Sequence, residues 1–506
     1  MTALLSLDHS SRYQTRDRVL NVPFVIRGEV IEDCTIEMQS RDRGSGKATF
    51  LTPDLRPYLR TLVEVDPLDL KALADIPCRE IMELLHRVGQ AFQAGTKEHG
   101  VFNDIIEDAI LASTMVSNLS ESQIRAAFAQ IPKVLNRDLI HYVLEQEVGI
   151  PCLDGWVEVE RPSFAIESAV AQKAREETAF GLIRKAEVRA FPSRILHILA
   201  GNVPLVAALS VMRGAAVKAH NLFKLPSNDL YTATTILRVL AELYPNHPLT
   251  KQLSAVYWKG GDSEIENFLY RPQSFQKIVA WGGRSGIQHL MKRGTVGMEL
   301  ITFDPKLSIS ILGKEIFENQ LTLATAVERA ALDILAFNQE ACVSSRYNFV
   351  EGTDEQVMEY CEILYDYIRN YSETREANPY FPPDLRTVLN EYDIAGTARV
   401  WGGNSEGAVV LFEEPVDEEE FFPICRTVAV TRIENIREAL PYINVATQTI
   451  GIHPNQRKAE IRDALIAGGG QRIVSLGGAG RGVVGLPHDA FYPCHRMVRW
   501  AVDETY

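Results

Sequence analysis

Residues 194–225, RILHILAGNVPLVAALSVMRGAAVKAHNLFKL, decide the fold. The runs ILHILA and NLFKL are short and apolar, which predicts two buried strands, and PLVAALSVMRGAAV between them predicts a buried helix. A strand–helix–strand succession at this spacing predicts parallel strands in a doubly wound sheet. The segment also carries His197, Asn202 and Arg213. Such polar and charged groups are costly inside a bilayer, so we expect a folded core here and no membrane span.

The same alternation continues on the C-terminal side, up to about residue 305. The runs SAVYWK and QKIVAW predict further strands, and DLYTATTILRVLAELY and SGIQHLMKRG predict the helices between them. In sheets of this type, ligands bind at the carboxyl ends of the strands. The loops that begin at Gly201, Pro226 and Gly282 are therefore expected on the ligand-binding edge.

The predicted fold class is α/β, with four segments along the chain. They are a β-rich N-terminal element (1–65), a helical lead-in with a Rossmann-like nucleotide-binding domain (66–305), a thiol-bearing α/β catalytic domain (306–445) and a C-terminal segment that completes the active site and offers oligomer contacts (446–506). In the first segment, VPFVIRGEVIEDCTIEMQS predicts an antiparallel strand pair. In the third, we expect a long helix from Glu315 to Phe337, the loop NQEACVSS and the strands YNFVEG and GAVVLF.

Composition excludes several classes of protein. The 506 residues are 46% hydrophobic and 23% charged, which is typical of a globular protein and excludes disorder and fibre. A net charge of −14 argues against a nucleic-acid partner, because phosphate backbones are bound by basic surfaces. The seven cysteines are scattered and include no C-x-x-C pair, so neither a disulfide framework nor a metal site is indicated. The N-terminus lacks a basic start followed by an apolar stretch, so we expect a cytoplasmic protein.

Three short motifs carry candidate chemistry. Cys342 lies in a polar turn before an apolar strand, where a thiolate could hold an acyl group as a thioester, although a structural thiol is the alternative. The amide of Asn202 follows a strand and could stabilise an oxyanion, or simply form a turn. Gly282 and Gly283 precede a helix and would let a pyrophosphate approach its N-terminus, but they are not a G-x-G-x-x-G motif.

Together these stretches resemble the acyl-CoA reductase (LuxC) family, the fatty acid reductases of bacterial luminescence systems, a divergent branch of the aldehyde dehydrogenase superfamily. HILAGNVPLVAALSVMRG, KAHNLFKLPSND, IVAWGG, FDPKLSISI and NQEACVSS occur in the family's order. GLPHDAFYPCHRMVRW is the most distinctive signature. The resemblance covers residues 194–500 and implies an aldehyde dehydrogenase-like fold.

The resemblance implies roles for individual residues. Cys342 would be the nucleophile and Asn202 the oxyanion donor. Glu299 matches the superfamily's general-base glutamate, six residues before Pro305. A reductase gains nothing from hydrolysing its acyl-enzyme. Glu299 therefore either has an altered role or is a strand-end carboxylate that faces solvent. His488, in the C-terminal signature, is a tempting base that the mechanism does not require.

For the cofactor, the resemblance implies that Lys224 reaches the adenosine ribose, with Gly282 and Gly283 near the pyrophosphate. NAD-preferring relatives carry an acidic residue where this chain has Ser227, so repulsion against a 2′-phosphate is absent and NADPH is expected. Glu419 fits an E-x-F-x-P motif that holds the nicotinamide ribose, although its acidic run is also typical of a solvated turn.

The sequence therefore predicts an NADPH-dependent reduction of a long-chain fatty acyl-CoA or other acyl thioester to the aldehyde, through an acyl-enzyme on Cys342. Two alternatives stay open: an NAD(P)-dependent aldehyde dehydrogenase that produces the acid, and an acyl-transfer subunit that does not reduce its acyl group. The resemblance further implies an acyl-protein synthetase as partner and a homo-oligomer.

Overall fold

Two seven-stranded sheets organise the part of the chain that the computed structural model describes, residues 19–42, 46–160, 185–294, 296–371, 381–482 and 484–504. The described strands are β1 (Leu20–Asn21), β2 (Phe24–Ile26), β3 (Glu29–Ile31), β4 (Ile36–Gln39), β5 (Thr49–Thr52), β6 (Val157–Glu160), β7 (Lys185–Phe191), β8 (Arg194–Ile198), β9 (His220–Lys224), β10 (Leu253–Val256), β11 (Lys277–Trp281), β12 (Glu299–Phe303), β13 (Leu307–Leu312), β14 (Ser345–Glu351), β15 (Ala398–Asn404), β16 (Gly407–Phe412), β17 (Thr427–Ile433), β18 (Thr447–His453), β19 (Arg472–Ser475) and β20 (Arg499–Glu504).

The described α-helices precede, connect and follow these strands. They are α1 (Leu59–Val63), α2 (Pro67–Ala74), α3 (Cys78–Ala91), α4 (Lys97–Thr114), α5 (Glu121–Phe128), α6 (Ile131–Val134), α7 (Arg137–Glu147), α8 (Ile150–Asp154), α9 (Pro204–Ala216), α10 (Thr232–Leu243), α11 (Ser263–Leu269), α12 (Arg284–Arg293), α13 (Gln320–Leu335), α14 (Asp354–Asn370), α15 (Pro383–Ala395), α16 (Lys458–Ala467) and α17 (Pro493–Met497). No helix within the described ranges is long and apolar enough to cross a membrane.

Sheet I has the strand order β12-β11-β8-β9-β10-β2-β3, and its first five strands are parallel. The predicted strands and helices of residues 194–293 are confirmed. Helix α9 begins at Pro204, whose fixed backbone angle suits the first helical position. It packs so closely on β9 that a Cβ at Gly214 would lie 2.4 Å from the Asn221 side chain. The predicted N-terminal strand pair, β2 and β3, does not stand alone, because β2 pairs antiparallel with β10 and extends sheet I.

Sheet II has the order β15-β16-β17-β14-β13-β18-β19, and every pair except β15–β16 is parallel. The predicted helix 315–337 is shorter than expected. It begins at Gln320, because the Asn319 side chain caps it by accepting from Leu321 N and Thr322 N, at 3.0 Å each. It ends at Leu335, shortly before Phe337 enters the left-handed region. Since β18 and β19 belong to this sheet, the predicted boundary at residue 445 falls inside it.

The C-terminal residues connect the two main sheets. After β19 the chain returns to the hydrophobic core around sheet I. There Cys494, Met497 and Val498 are buried with residues of sheet I and helices α3–α7. Strand β20 then pairs antiparallel with β7 in a three-stranded sheet of order β20-β7-β6. The segment between β19 and α17 therefore passes the junction of the two sheets, where the predicted nucleophile lies.

Candidate active site

The loop that carries Cys342 is held in a strained conformation. Phe337, Asn338 and Gln339 have φ of 50°, 54° and 59°, a region that residues with side chains seldom adopt. The Gln339 amide fixes the loop to sheet II: its Nε2 donates to Thr427 O at 2.7 Å, and Thr427 N donates to its Oε1 at 3.1 Å. Strain of this kind persists only where the surrounding structure enforces it, and it is concentrated at functional sites.

A second left-handed segment faces the first. Cys425 and Arg426 have φ of 55° and 62°, and Arg426 Nη1 donates to Asn338 Oδ1 at 2.5 Å. Arg346 Nη2 donates to Gln339 O at 3.0 Å, and its guanidinium lies 4.6 Å from the centre of the Phe422 ring. The two segments therefore fix each other and leave the turn at Cys342 in one position.

The thiol of Cys342 lies among hydrogen-bond donors. The backbone N–H groups of Cys342 and Val343 and the side chain of Gln448 act on the sulfur as hydrogen-bond donors and lower the pKa of the thiol. Burial, together with the charge of Asp489, raises the pKa of the thiol to about 11, against the effect of these donors. The Cys342 carbonyl accepts from Ser308 Oγ at 2.7 Å, which anchors the turn to β13. The resting group is a thiol, and its surroundings are ready to stabilise an anion once one forms.

Asn202 reaches the same loop from sheet I. Its Nδ2 donates to Glu340 O at 2.7 Å, two residues before Cys342, and its buried Oδ1 has no described partner. A carboxamide nitrogen carries two hydrogens, so one N–H of Asn202 is free to meet a ligand. Gly201 is required beside it, because a Cβ there would lie 2.1 Å from Asn228 Oδ1. The structure therefore brings Asn202 to the loop of the predicted nucleophile.

The predicted cofactor residues share the carboxyl edge of sheet I. Lys224 ends β9, and its Nζ lies 5.2 Å from the Trp258 ring centre, with no hydrogen-bond partner described. Burial lowers the pKa of Lys224 to about 8, although Glu266 raises it. Gly282 and Gly283 follow β11, and a Cβ on either would meet nothing within 4 Å.

These groups fit a nicotinamide dinucleotide. Helix α12 begins directly after the two glycines, so its N-terminal N–H groups are open to a pyrophosphate, and the Lys224 ammonium has no hydrogen-bond partner among the described residues. Ser227 lies in the turn after β9 and carries no charge, while Asp229, two residues later in the same turn, accepts from Thr232 N and Thr232 Oγ1. No cluster of residues able to hold a metal ion lies within the described ranges.

Glu299 does not lie with Cys342. It begins β12 and accepts from Lys277 Nζ at 2.6 Å and from Arg496 Nε at 2.9 Å. Burial raises its pKa, but the bonds and charges of Lys277 and Arg496 outweigh burial and hold the pKa below its usual value. The carboxyl end of β12 is Phe303, about 13 Å along the strand. The spacing to Pro305 matched the superfamily, yet the strand places this carboxylate at the opposite edge of the sheet.

Glu419 lies in an exposed turn that begins at Asp417, whose Oδ1 accepts from Glu419 N at 2.9 Å. Two residues later, Phe421 O accepts from Tyr347 OH at 2.6 Å, so the turn adjoins the strand that follows the nucleophile. No described contact joins the Glu419 carboxylate to Cys342, Lys224 or the glycines.

Two side chains at the site, those of Gln448 and Asp489, were not predicted from the sequence. The main chain of His488 and Phe491 forms a reciprocal pair of hydrogen bonds, at 2.9 and 3.1 Å, around Asp489 and Ala490, whose φ values are 50° and 66°. This two-residue turn directs Asp489 at Gln448, whose Nε2 donates to Asp489 Oδ1 at 2.6 Å. An Asp at the first position of a two-residue turn is a recognisable signal, but the partner 41 residues away is not visible in the sequence.

His488, which the sequence had singled out, packs instead against aromatic rings. Its ring centre lies 5.3 Å from that of Trp281 and 5.1 Å from that of Phe303, in edge-on contacts. Burial, with the nearby charges of Arg213 and Arg472, lowers the pKa of His488 to about 3. The imidazole is therefore neutral at physiological pH and packs with the rings of Trp281 and Phe303 beside the site.

Comparisons with known proteins identify the family and the fold of this chain. A model of the acyl-CoA reductase (LuxC) family matches residues 185–500. The long-chain acyl-protein thioester reductases of Photorhabdus laumondii and Vibrio harveyi are 30% and 28% identical to this chain; each match covers 63% of this chain and 65% of the relative, slightly less than two thirds.

Solved structures share the fold at low identity. An NADP-dependent glyceraldehyde-3-phosphate dehydrogenase from Bacillus halodurans has a TM-score of 0.70 at 13% identity, over 96% of this chain and 99% of that one. Aldehyde dehydrogenase 21 from Physcomitrella patens has a TM-score of 0.71 at 14% identity, over 96% and 98%. The predicted aldehyde dehydrogenase-like α/β fold is confirmed.

Proposed function

The chain belongs to the acyl-CoA reductase (LuxC) family, and on that premise we propose that it reduces a fatty acyl thioester to the aldehyde with NADPH, through an acyl-enzyme on Cys342. The observation that carries this proposal is the position of the thiol, which lies beside the N–H groups of Cys342 and Val343, with Asn202 anchored on the same loop. Such an arrangement suits acyl transfer, because the charge that develops on the carbonyl oxygen meets fixed donors.

In the first half-reaction, Cys342 attacks the thioester carbonyl and displaces the thiol of CoA or of a carrier. The thiol proton leaves the sulfur, and the departing thiolate takes up a proton, so the step is neutral overall. The Cys342 N–H and the free N–H of Asn202 hold the oxyanion. The strained loop 337–339 keeps the sulfur in one position, so little ordering is needed during the attack.

Lys224, Ser227, Gly282 and Gly283 would hold the cofactor, which supplies a hydride when bound. The absence of an acidic side chain at position 227 supports NADPH over NADH, because a 2′-phosphate then meets no negative charge there. The same two oxyanion donors serve the alkoxide that the reduction forms, and its collapse releases the aldehyde and restores the sulfur of Cys342.

The position of Glu299 favours reduction over oxidation to the acid. Its carboxylate is engaged by Lys277 and Arg496 at the far edge of sheet I, so it is not available to activate water at an acyl-enzyme. Without such activation, the thioester on Cys342 survives until it is reduced.

The names of the relatives describe acyl groups carried on a protein, which supports a proposal about the partners. We propose an acyl-CoA or acyl-carrier donor, an acyl-protein synthetase that delivers it, and a cytoplasmic location, where the seven free cysteines stay reduced. Strands β6 and β20 are edge strands that expose Val159, Trp500 and Val502, which supports a homo-oligomer built by strand pairing.

The proposal is tested by incubating the protein with labelled long-chain acyl-CoA, first without and then with NADPH. We expect label on Cys342, located by peptide mass spectrometry, and release of labelled aldehyde when NADPH is added. The matched control is Cys425→Ala, which removes a half-buried thiol from the neighbouring segment and should leave labelling intact.

A Cys342→Ala variant that still forms aldehyde would overturn the mechanism. Free acid formed from aldehyde and NADP⁺ as the main reaction would instead support the oxidising alternative. Label that stays on the protein without any oxidation of NADPH would support the acyl-transfer subunit.

A further inference from the structure

Gln448, in β18, and Asp489, in the C-terminal signature, form a side-chain pair that the proposed mechanism does not use. Gln448 lies in β18 beside the turn of Cys342: the N–H of the next residue, Thr449, donates to Ser308 Oγ at 3.2 Å, and that hydroxyl donates to Cys342 O at 2.7 Å. Gln448 Nε2 donates to Asp489 Oδ1 at 2.6 Å. Only 4% of the Asp489 side chain is exposed. The carboxylate is therefore buried next to the nucleophile. Burial of a charged group costs free energy unless the group is paired or hydrogen-bonded.

We propose that Gln448 and Asp489 hold and tune the nucleophile: the Gln448 amide donates one N–H to the Cys342 sulfur and the other to the Asp489 carboxylate. Gln448 touches the reacting atom, whereas Asp489 acts through Gln448 and through its charge, so it is a positioning residue. The inference rests on Cys342 being the acylated nucleophile.

The chemistry of the pair fixes its orientation. A carboxylate only accepts hydrogen bonds, so the Gln448 side chain must present its nitrogen, and its Oε1 has no described partner. The backbone supports the arrangement from both sides. Gln448 lies within β18, between β13 and β19, while Asp489 lies in a left-handed turn that contains no glycine. A residue held in such a conformation indicates a position that the rest of the structure imposes.

The two side chains act on the thiol in opposite directions. The Gln448 N–H favours the thiolate, whereas the negative charge of Asp489 disfavours it. Other charged groups also face this thiol, Arg346 from β14 and Arg472 from β19. Both arginines are unchanged in variants of Gln448 or Asp489. Shifts of the thiol pKa in opposite directions in the two variants therefore distinguish tuning of the thiol from a merely structural role.

The experiment measures the rate at which iodoacetamide alkylates Cys342, followed by peptide mass spectrometry, as a function of pH. Asp489→Asn keeps an oxygen that accepts from Gln448 and removes only the charge, so its profile should shift to lower pH by about one unit. Gln448→Met keeps the length of the side chain and removes the N–H, so its profile should shift to higher pH. Asp463→Asn, at a carboxylate that is 90% exposed on α16, is the matched control and should not shift.

Profiles that stay unshifted in both variants, or that shift in the same direction, would overturn the proposal. Thermal unfolding of each variant separates loss of fold from loss of tuning. Each variant has its own expected direction of pH shift, so either one alone can contradict the proposal. The readout needs neither acyl substrate nor cofactor. If the profiles shift as expected but acyl-CoA never labels Cys342, the proposed function fails and the pair stands.

Discussion

The two edges of sheet I differ in how completely their polar side chains are paired. At the amino edge, Glu299 accepts from both Lys277 and Arg496. At the carboxyl edge, within the described part of the chain, Asn202 Oδ1 has no partner and Lys224 Nζ contacts only ring faces. Polar groups that are fully paired stabilise the fold, whereas buried groups left unpaired are available for a ligand. The comparison predicts that substitutions at one edge change stability and those at the other change activity.

The largest effect is expected at Asn202. Asn202→Ala removes the N–H that faces the thioester and should lower kcat for aldehyde formation about 10²–10³-fold, the usual loss for one oxyanion donor. Steady-state kinetics with acyl-CoA and NADPH measures it. The matched control is Asn118→Ala, since Asn118 Nδ2 also bonds Glu340, through Oε1 at 3.0 Å, without reaching the nucleophile. Equal losses in the two variants would mean that support of the loop, and not the oxyanion, explains the effect.

An intermediate effect is expected at Ser227. Ser227→Asp would place a carboxylate near the 2′-phosphate, so we expect the Kd for NADPH to rise about 10–100-fold, with little change in the Kd for NADH. Fluorescence titration measures both constants. Ser227→Ala adds no charge and should leave both nearly unchanged. A Ser227→Asp protein that still prefers NADPH would remove position 227 from the cofactor site.

The smallest effect is expected at the paired edge. Glu299→Gln should leave kcat within about threefold and cost about 1 kcal/mol of unfolding free energy, since this partly exposed ion pair is screened by solvent. A loss of kcat as large as that of Asn202→Ala would indicate that Glu299 has a catalytic role after all.

The pH dependence of that cost has a definite sign. Since Lys277 and Arg496 lower the pKa of Glu299 in the fold, its contribution is fully present above the ordinary glutamate pKa of about 4.3. It is lost as the pH falls through the lower pKa of the folded protein. The stability difference between the Glu299→Gln variant and the unaltered protein should therefore shrink below about pH 4, which urea unfolding at several pH values would measure.

Secondary structure that depends only on a short segment was predicted correctly from the sequence. The strands β8 and β9 and the helix α9 follow from local apolar patterns, and the parallel sheet follows from their alternation. The position of Glu299 could not be predicted in this way. Its spacing to Pro305 does not say where the strand begins, and the direction of β12 sends the two ends of the strand to opposite edges of the sheet.

The conformation around the nucleophile was beyond prediction for a different reason. Nothing local marks Phe337 as left-handed; Asn338 is of a type that adopts this region more readily than most, and its side chain is held by Arg426, 88 residues away in the sequence. Asp489 is similar, since its contact with Gln448 depends on the path of the C-terminal segment between the sheets. Such features are set by tertiary contacts, and one sequence does not reveal them.

The late position of the C-terminal segment has a consequence for biosynthesis. Gln448 and Asp489 are translated well after Cys342, and at about 5–20 residues per second the ribosome needs roughly 7–30 s to pass from Cys342 to Asp489. Strand β18, which seats Gln448 beside β13, also emerges in that interval. On the proposed roles, a nascent chain therefore carries Cys342 before it holds the groups that tune the thiol, and the nucleophile becomes competent only after Asp489 has been translated.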